Sequence, residues 1–230
     1  IYYPLSTLML SNIRDILIIS SPRDLPLIEK LLGDGSNFGI RISYKYQEEP
    51  NGVAEGLIIG KDFLKDSCCA LILGDNIFFG NLLQHKLEKA IKENQGATIF
   101  SYHVNEPTRF AIVETNNKHE PVSIEEKPHF PKSDLAVTGL YFYDKNASLY
   151  ASELITSIRN EYEISDLNNI YLKKGKLKVE ELSRGFTWID AGTHKSFIEA
   201  SQLIYTLENR QGLKISCPEE IALYKGWITG

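Results

Sequence analysis

The sequence predicts an α/β fold, a mixed and mostly parallel central sheet with helices on both faces and a smaller antiparallel part. Two observations carry this. The first half alternates short apolar runs with segments of helical periodicity, the signature of βαβ units. The second half turns to paired runs separated by polar turns, which reads as antiparallel strands. Ile13 to Ser20 is a compact apolar run ending in Ser-Ser-Pro and reads as a buried strand. Leu25, Ile28, Leu31 and Leu32 follow at helical spacing, and Gly33 and Gly35 close that helix. Ile42, Tyr44 and Tyr46 alternate as a strand, 53–64 reads as a helix, and 68–73 as a second buried strand. Leu83, Leu87, Ala90 and Ile91 mark the next helix, and 97–104 the next strand.

Beyond that point 111–114 and 122–126 flank Asn116-Asn117-Lys118 as a hairpin, and 135–143 is a further strand. Helices are expected near 146–158 and 165–173, then a strand over 178–182. Thr193 is placed to cap a long helix carrying Phe197, Ala200, Ile204 and Leu207 on one face. One domain is expected over 1–230, with a nucleotide-binding part over about 1–105 and a smaller mixed substrate part, with a C-terminal helical region, over about 106–230. The opening Ile1-Tyr2-Tyr3-Pro4-Leu5 enters its helical pattern without a start signal and reads as if cut from something longer.

Composition narrows the function classes. The 230 residues are 43% hydrophobic and 24% charged, with a net charge of -5 and no basic stripe, so nucleic acid is not an expected partner. No apolar run approaches the roughly 18 residues of a membrane span and no signal peptide is apparent, so a cytoplasmic protein is expected. Cys68, Cys69 and Cys217 show no metal-binding spacing and read as buried thiols. Cys68 and Cys69, adjacent in a strand, point to opposite faces.

Three constellations could carry chemistry. In Leu71-Ile72-Leu73-Gly74-Asp75-Asn76 an apolar strand runs into a carboxylate at its carboxyl end, where open α/β sheets bind ligands. The same Asp75 could equally cap a following helix. In Phe186 to Thr193 a strand again ends in a carboxylate, and Trp188 and Asp190 face one side. They fit a site for a sugar and a metal, or a buried tryptophan beside a turn. Two such acids could share one Mg²⁺ together with substrate phosphates. In Ser123 to Pro128, Glu126 and Lys127 face opposite ways on a regular strand; both reach one ligand only if the strand bulges or ends there. Otherwise they form an exposed charged edge. Gln47 leads the turn Pro50-Asn51-Gly52, and its amide could read a nucleobase edge.

Taken in order, Q-x-x-P-x-G-x-A (47–54), L-G-D-N (73–76), S-x-E-E-K-P (123–128), V-T-G-L-Y-F-Y (137–143) and W-x-D-x-G-T-H (188–194) resemble the sugar nucleotidyltransferases. The stretches 208–214 and 217–221 look like the short glucose-1-phosphate thymidylyltransferases in particular, and the resemblance runs over essentially the whole chain. It implies a Rossmann-like three-layer fold and an in-line attack of glucose 1-phosphate on the α-phosphorus of dTTP, releasing pyrophosphate. Positioning and charge neutralisation dominate such a transfer.

By the same resemblance Asp75 and Asp190 hold Mg²⁺, Lys127 grips the sugar phosphate, and Glu126 binds sugar hydroxyls. Val137 and Trp188 line the sugar pocket, Asn76 lies beside the metal acid, and Gln47 and Gly52 meet the base. Phe110-Ala111 stands where the family commonly has Tyr-Gly, which removes a hydroxyl and adds a methyl group in the sugar pocket. Tyr224 lies near a position that is often arginine in the family's regulatory region. His194 is taken as structural. The resemblance further implies a homotetramer, a pathway toward dTDP-rhamnose or a related deoxysugar, and, ahead of Ile1, a first strand with a glycine-rich phosphate loop. Without that loop the chain is expected to be inactive. The competing readings are a uridylyl- or cytidylyltransferase of the same fold, and a non-catalytic module that binds a nucleotide sugar.

Overall fold

The computed structural model describes residues 1–230. Helix α1 (Tyr2–Leu10) leads into β1 (Asp15–Ser20), α2 (Leu25–Leu32) and β2 (Arg41–Tyr46). Two short helices, α3 (Glu55–Ile59) and α4 (Lys61–Leu64), precede β3 (Cys69–Ile72) and β4 (Asn76–Gly80). Next come α5 (Leu83–Glu93), β5 (Ala97–His103), β6 (Ala111–Thr115), β7 (Pro121–Glu126) and β8 (Leu135–Tyr143). The chain closes with α6 (Ala147–Ser152), α7 (Ile164–Lys173), β9 (Leu177–Glu181), β10 (Phe186–Asp190), α8 (His194–Gln211) and α9 (Pro218–Tyr224).

The α/β class and the mixed pairing are as the sequence predicts, but antiparallel pairing takes the larger share. Parallel pairs are confined to β1–β2 and β5–β9. The reason is β8, buried along its whole length, which enters the middle of the largest sheet and pairs antiparallel with β3, β5 and β6. Helices cover both faces of that sheet. On one, Ala54, Leu57, Ala147, Ala151, Ile164, Leu167 and Tyr171 bury against Ile99, Val137 and Tyr141. On the other, Leu83, Leu87 and Ala90 of α5 pack on Phe100, Leu140 and Phe142. Packing crosses position 105, since β5 pairs with β8 and β9, and α9 returns to α1.

Three local expectations change. The helix expected near 146–158 ends at Ser152. The helix expected over 53–64 breaks at Gly60, whose amide closes α3 by bonding to the Gly56 carbonyl at 2.9 Å. Asp75 caps no helix, because the chain re-enters a strand, β4, which pairs with β10.

The strands β1 and β2 form a sheet of their own, and between β1 and β3 lies an open slot. Its volume is about 1340 Å³, and its walls include Ile16, Leu17 and Ile19 of β1 and Cys69 to Ile72 of β3. Each of these strands pairs on one edge only, β1 with β2 and β3 with β8. The slot therefore offers two rows of unpaired backbone groups and an apolar lining, the environment of a buried strand.

Candidate active site

The two predicted acids lie at the ends of neighbouring strands. Asp190 ends β10 opposite Asn76, the first residue of β4, so Asp75 and Asp190 are brought side by side. A Cβ built on Gly192 would sit 2.9 Å from Asp75 Oδ2 and 3.0 Å from Asp190 Oδ1, so glycine keeps that space open between the carboxylates. Asp190 Oδ1 also accepts from the Gly192 amide at 3.0 Å. Burial raises the Asp190 carboxyl above its ordinary range, and the Asp75 charge adds to this. No cation pairs with either carboxylate. Two acids converging on one open point form a donor set that fits Mg²⁺, which takes one or two protein carboxylates and completes its shell with phosphate oxygens and water.

Asn76 frames this pair and is a correction to the sequence expectation. It was expected among the substrate-binding groups, yet it is 1% exposed and its polar atoms are spent inward. Its Nδ2 donates to Asp75 Oδ1 at 2.8 Å, and its Oδ1 accepts from Trp188 Nε1 at 2.6 Å and from the Gly139 amide at 3.0 Å. Gly139 has to be glycine here, because a Cβ would stand 2.6 Å from that Asn76 oxygen. Asn76 thus ties β8, β10 and the Asp75 carboxylate together. Val137 is likewise a core residue, packed with Ile99 and Tyr141. Trp188 is buried as well, with Phe110 at 5.3 Å and Tyr102 at 6.0 Å edge-on to its ring.

Phe110 joins this pair to the second group. Ala111 of β6 lies opposite Glu126 of β7, and the Lys127 amide donates to the Phe110 carbonyl at 3.1 Å. The strand ends where two functional side chains would otherwise diverge: Lys127 turns left-handed at φ 42°. That break is the condition under which Glu126 and Lys127 can address one ligand. Lys127 is exposed and makes no ion pair. Burial pushes the Glu126 carboxyl up; the Ser165 hydroxyl approaches it without reaching hydrogen-bonding geometry, Glu163 reinforces the shift, and Lys127 and Arg159 oppose it.

Sequence reasoning passed over two arginines. Arg109 lies over the Phe110 ring at 5.4 Å and lowers the Asp190 carboxyl's proton affinity from nearby. Arg159 stands 3.6 Å from Glu126 and donates to both oxygens of the buried Glu163, at 2.9 and 2.7 Å. Burial alone would raise the Glu163 carboxyl; the Arg159 and Ser157 hydrogen bonds outweigh it and hold it below the ordinary range. Neither arginine belongs to a local motif; Arg109 ends a short 3-10 helix and Arg159 lies in a turn between α6 and α7, so only their charge could have pointed to them.

The third group is Gln47 and Gly52, at the mouth of the slot. Gly52 has φ 104°, and a Cβ there would meet the Tyr162 carbonyl oxygen at 2.6 Å. Tyr162 donates its amide to the Asn51 carbonyl and accepts from the Ala54 amide, which ties this turn to the Arg159 loop. The slot reaches Gly74 but is lined by none of Asp75, Glu126, Lys127 or Asp190, so its volume belongs to the gap between strands and not to the sugar end of the site.

The family model for nucleotidyl transferase matches residues 1–206. The chain belongs to the nucleotidyl transferase family. Among its relatives, the glucose-1-phosphate thymidylyltransferase of Neisseria meningitidis is 52% identical over 229 residues, which is 100% of this chain and 80% of that protein. The enzyme of the same name from Mycobacterium tuberculosis is 47% identical over 99% of this chain and 79% of its own length. A Bacillus anthracis protein assigned as a glucose-1-phosphate thymidylyltransferase, solved with sucrose, superposes with a TM-score of 0.81 at 38% identity, covering 88% of this chain and 81% of that one. A UDP-glucose pyrophosphorylase solved with UDP-glucose, at 20% identity and a TM-score of 0.77 over 89% of this chain and 86% of that one, shares the fold. Within this family fold, Cys68 proves exposed and Cys69 and Cys217 half-buried, so the expectation of three buried thiols is corrected: β3 begins only at Cys69. No helix is long and apolar enough to cross a membrane.

Proposed function

We propose that this nucleotidyltransferase joins dTTP to α-D-glucose 1-phosphate, forming dTDP-glucose and pyrophosphate. The observation that carries the reading is the convergence of Asp75 and Asp190 at one open point, framed by Asn76 and Gly192. The names of the relatives, at about half identity over the whole chain, supply the substrate pair. Asp75 and Asp190 hold the ion; Mg²⁺, when bound, neutralises charge on the nucleotide phosphates. Lys127 brings positive charge to the sugar phosphate, and Glu126 accepts hydrogen bonds from sugar hydroxyls. Phe110, Ala111 and Trp188 wall the sugar, and Val137 lies in the core cluster with Ile99 and Tyr141. Gln47 and Gly52 take the base. Chemistry then follows from holding the sugar phosphate oxygen in line with the α-phosphorus.

The slot supports one further element of this reading. An extended segment lying between β1 and β3 would pair with both and would end beside Gly74 and Gln47, where a phosphate-binding loop is needed. The exposed Phe197, Ile198 and Tyr205 of α8 fit a cytoplasmic homo-oligomer, a homotetramer in this reading, feeding a deoxysugar pathway such as that to dTDP-rhamnose.

The test is pyrophosphate release by the full-length protein with dTTP, glucose 1-phosphate and Mg²⁺. Asp75→Asn and Asp190→Asn should each lower kcat by about two or more orders of magnitude while nucleotide binding persists. Unchanged turnover in either variant would remove the metal-holding role. A protein that binds dTDP-glucose but releases no pyrophosphate would be the non-catalytic module instead.

A further inference from the structure

The geometry points to Glu55 as the residue that sets which base the site accepts, and this inference rests on the proposed assignment of Gln47 to the base. Gln47 Nε2 donates to Glu55 Oε2 at 2.6 Å and to the Gly52 carbonyl at 3.2 Å. Asn51 Nδ2 donates to the other oxygen, Glu55 Oε1, at 3.0 Å. The orientation of an amide is ordinarily ambiguous between its oxygen and nitrogen. Here it is fixed by chemistry, because a carboxylate and a carbonyl can only accept. Both N–H groups of the Gln47 amide are therefore spent on the protein, and Gln47 Oε1 is the atom left for a ligand.

An oxygen held this way can only accept. It matches a pyrimidine that presents an N3–H, as thymine and uracil do, and it meets the bare N3 acceptor of cytosine with repulsion. Discrimination by hydrogen-bond polarity is strong, because the mismatched base leaves two acceptors facing each other without a proton. Thymine and uracil are not separated by this device. Glu55 does not need to touch the nucleotide; it acts through Gln47 and is a positioning residue. Its position as the first residue of α3 sets it beside the turn whose Gly52 is packed on Tyr162. A glutamine at 55 keeps an acceptor at only one of the two positions and puts an N–H2 at the other, so either the Gln47 or the Asn51 amide would face a second donor.

The experiment uses the full-length protein and compares dTTP with dCTP, by kcat/KM with glucose 1-phosphate and by calorimetric Kd. Glu55→Gln and Glu55→Ala should each reduce the dTTP-over-dCTP preference about tenfold or more, which corresponds to about 1.4 kcal/mol. The change should appear in the nucleotide KM and Kd, with kcat and the KM for glucose 1-phosphate little altered. In a Gln47→Ala background, Glu55→Ala should change the preference no further. A preference within about twofold of wild type in both Glu55 variants, while Gln47→Ala collapses it, overturns the inference and leaves the base assignment standing. If wild type shows no preference, or Gln47→Ala keeps it intact, the base assignment itself is wrong.

Discussion

Asn76→Ala tests how the carboxylate pair is held. The substitution removes the acceptor shared by the Trp188 indole N–H and the Gly139 amide, and the donor that orients Asp75. Trp188 and Asn76 are buried, so the two stranded donors cost about 1–3 kcal/mol each. A total near 4 kcal/mol lowers Tm by roughly 8–16 °C, taking about 2–4 °C per kcal/mol for a chain of this size. A water molecule entering the vacated space would satisfy the donors in part and would bring the loss toward the lower end. Thermal and urea unfolding read the stability, and single-turnover pyrophosphate release reads the site. Turnover should fall together with stability, because Asp75 loses its only side-chain partner. A Tm within about 2 °C of wild type would refute the reasoning, as would a stable variant with unaltered turnover.

Other outcomes follow from neighbouring residues. Glu126→Gln should raise the KM for glucose 1-phosphate yet leave stability at pH 7 unchanged or improved. Burial favours the protonated Glu126 in the folded state, so wild-type stability should decline relative to the variant as pH rises from the ordinary glutamate value through the raised one. Arg159→Ala leaves the buried Glu163 without its bidentate partner and should cost about 1–3 kcal/mol in urea unfolding at neutral pH. Because Glu163 is held below its ordinary value, that cost should shrink as pH falls below the range in which Glu163 ionises. Gly52→Ala should weaken nucleotide binding through both the positive φ and the close Tyr162 backbone, which a binding isotherm will detect. Cys68 should alkylate first under native conditions, while the Cys69 thiol, pushed up to about 12 by burial, stays protected at neutral pH.

Much of this architecture was legible because local signals agreed with the packing. The buried run of β8, the hairpin of β6 and β7, and the capping of α8 by Thr193 all follow from periodicity and turn chemistry. The residues of β4 were harder, since Asn76-Ile77-Phe78-Phe79-Gly80 is too short to separate from a loop until its partner β10 is known. The dominance of antiparallel pairing depends on the direction in which β8 enters, a tertiary choice that no window of sequence contains. In the site, Asp75, Asp190, Glu126 and Lys127 stand in motifs at strand ends and could be read in advance. Arg109, Arg159 and Glu55 could not, because their meaning lies in contacts made across loops. Asn76 was legible as important and misread in role: a polar residue beside an acid looks exposed in sequence, whereas three inward hydrogen bonds bury it.

The most direct measurement of the central claim is steady-state pyrophosphate release by the full-length protein across dTTP, UTP, dCTP and dATP, with glucose 1-phosphate and Mg²⁺. The account predicts turnover with dTTP, the dTDP-glucose product by mass spectrometry, and rejection of dCTP. Absence of pyrophosphate with every nucleotide, from a folded protein that still binds a nucleotide sugar, would contradict it.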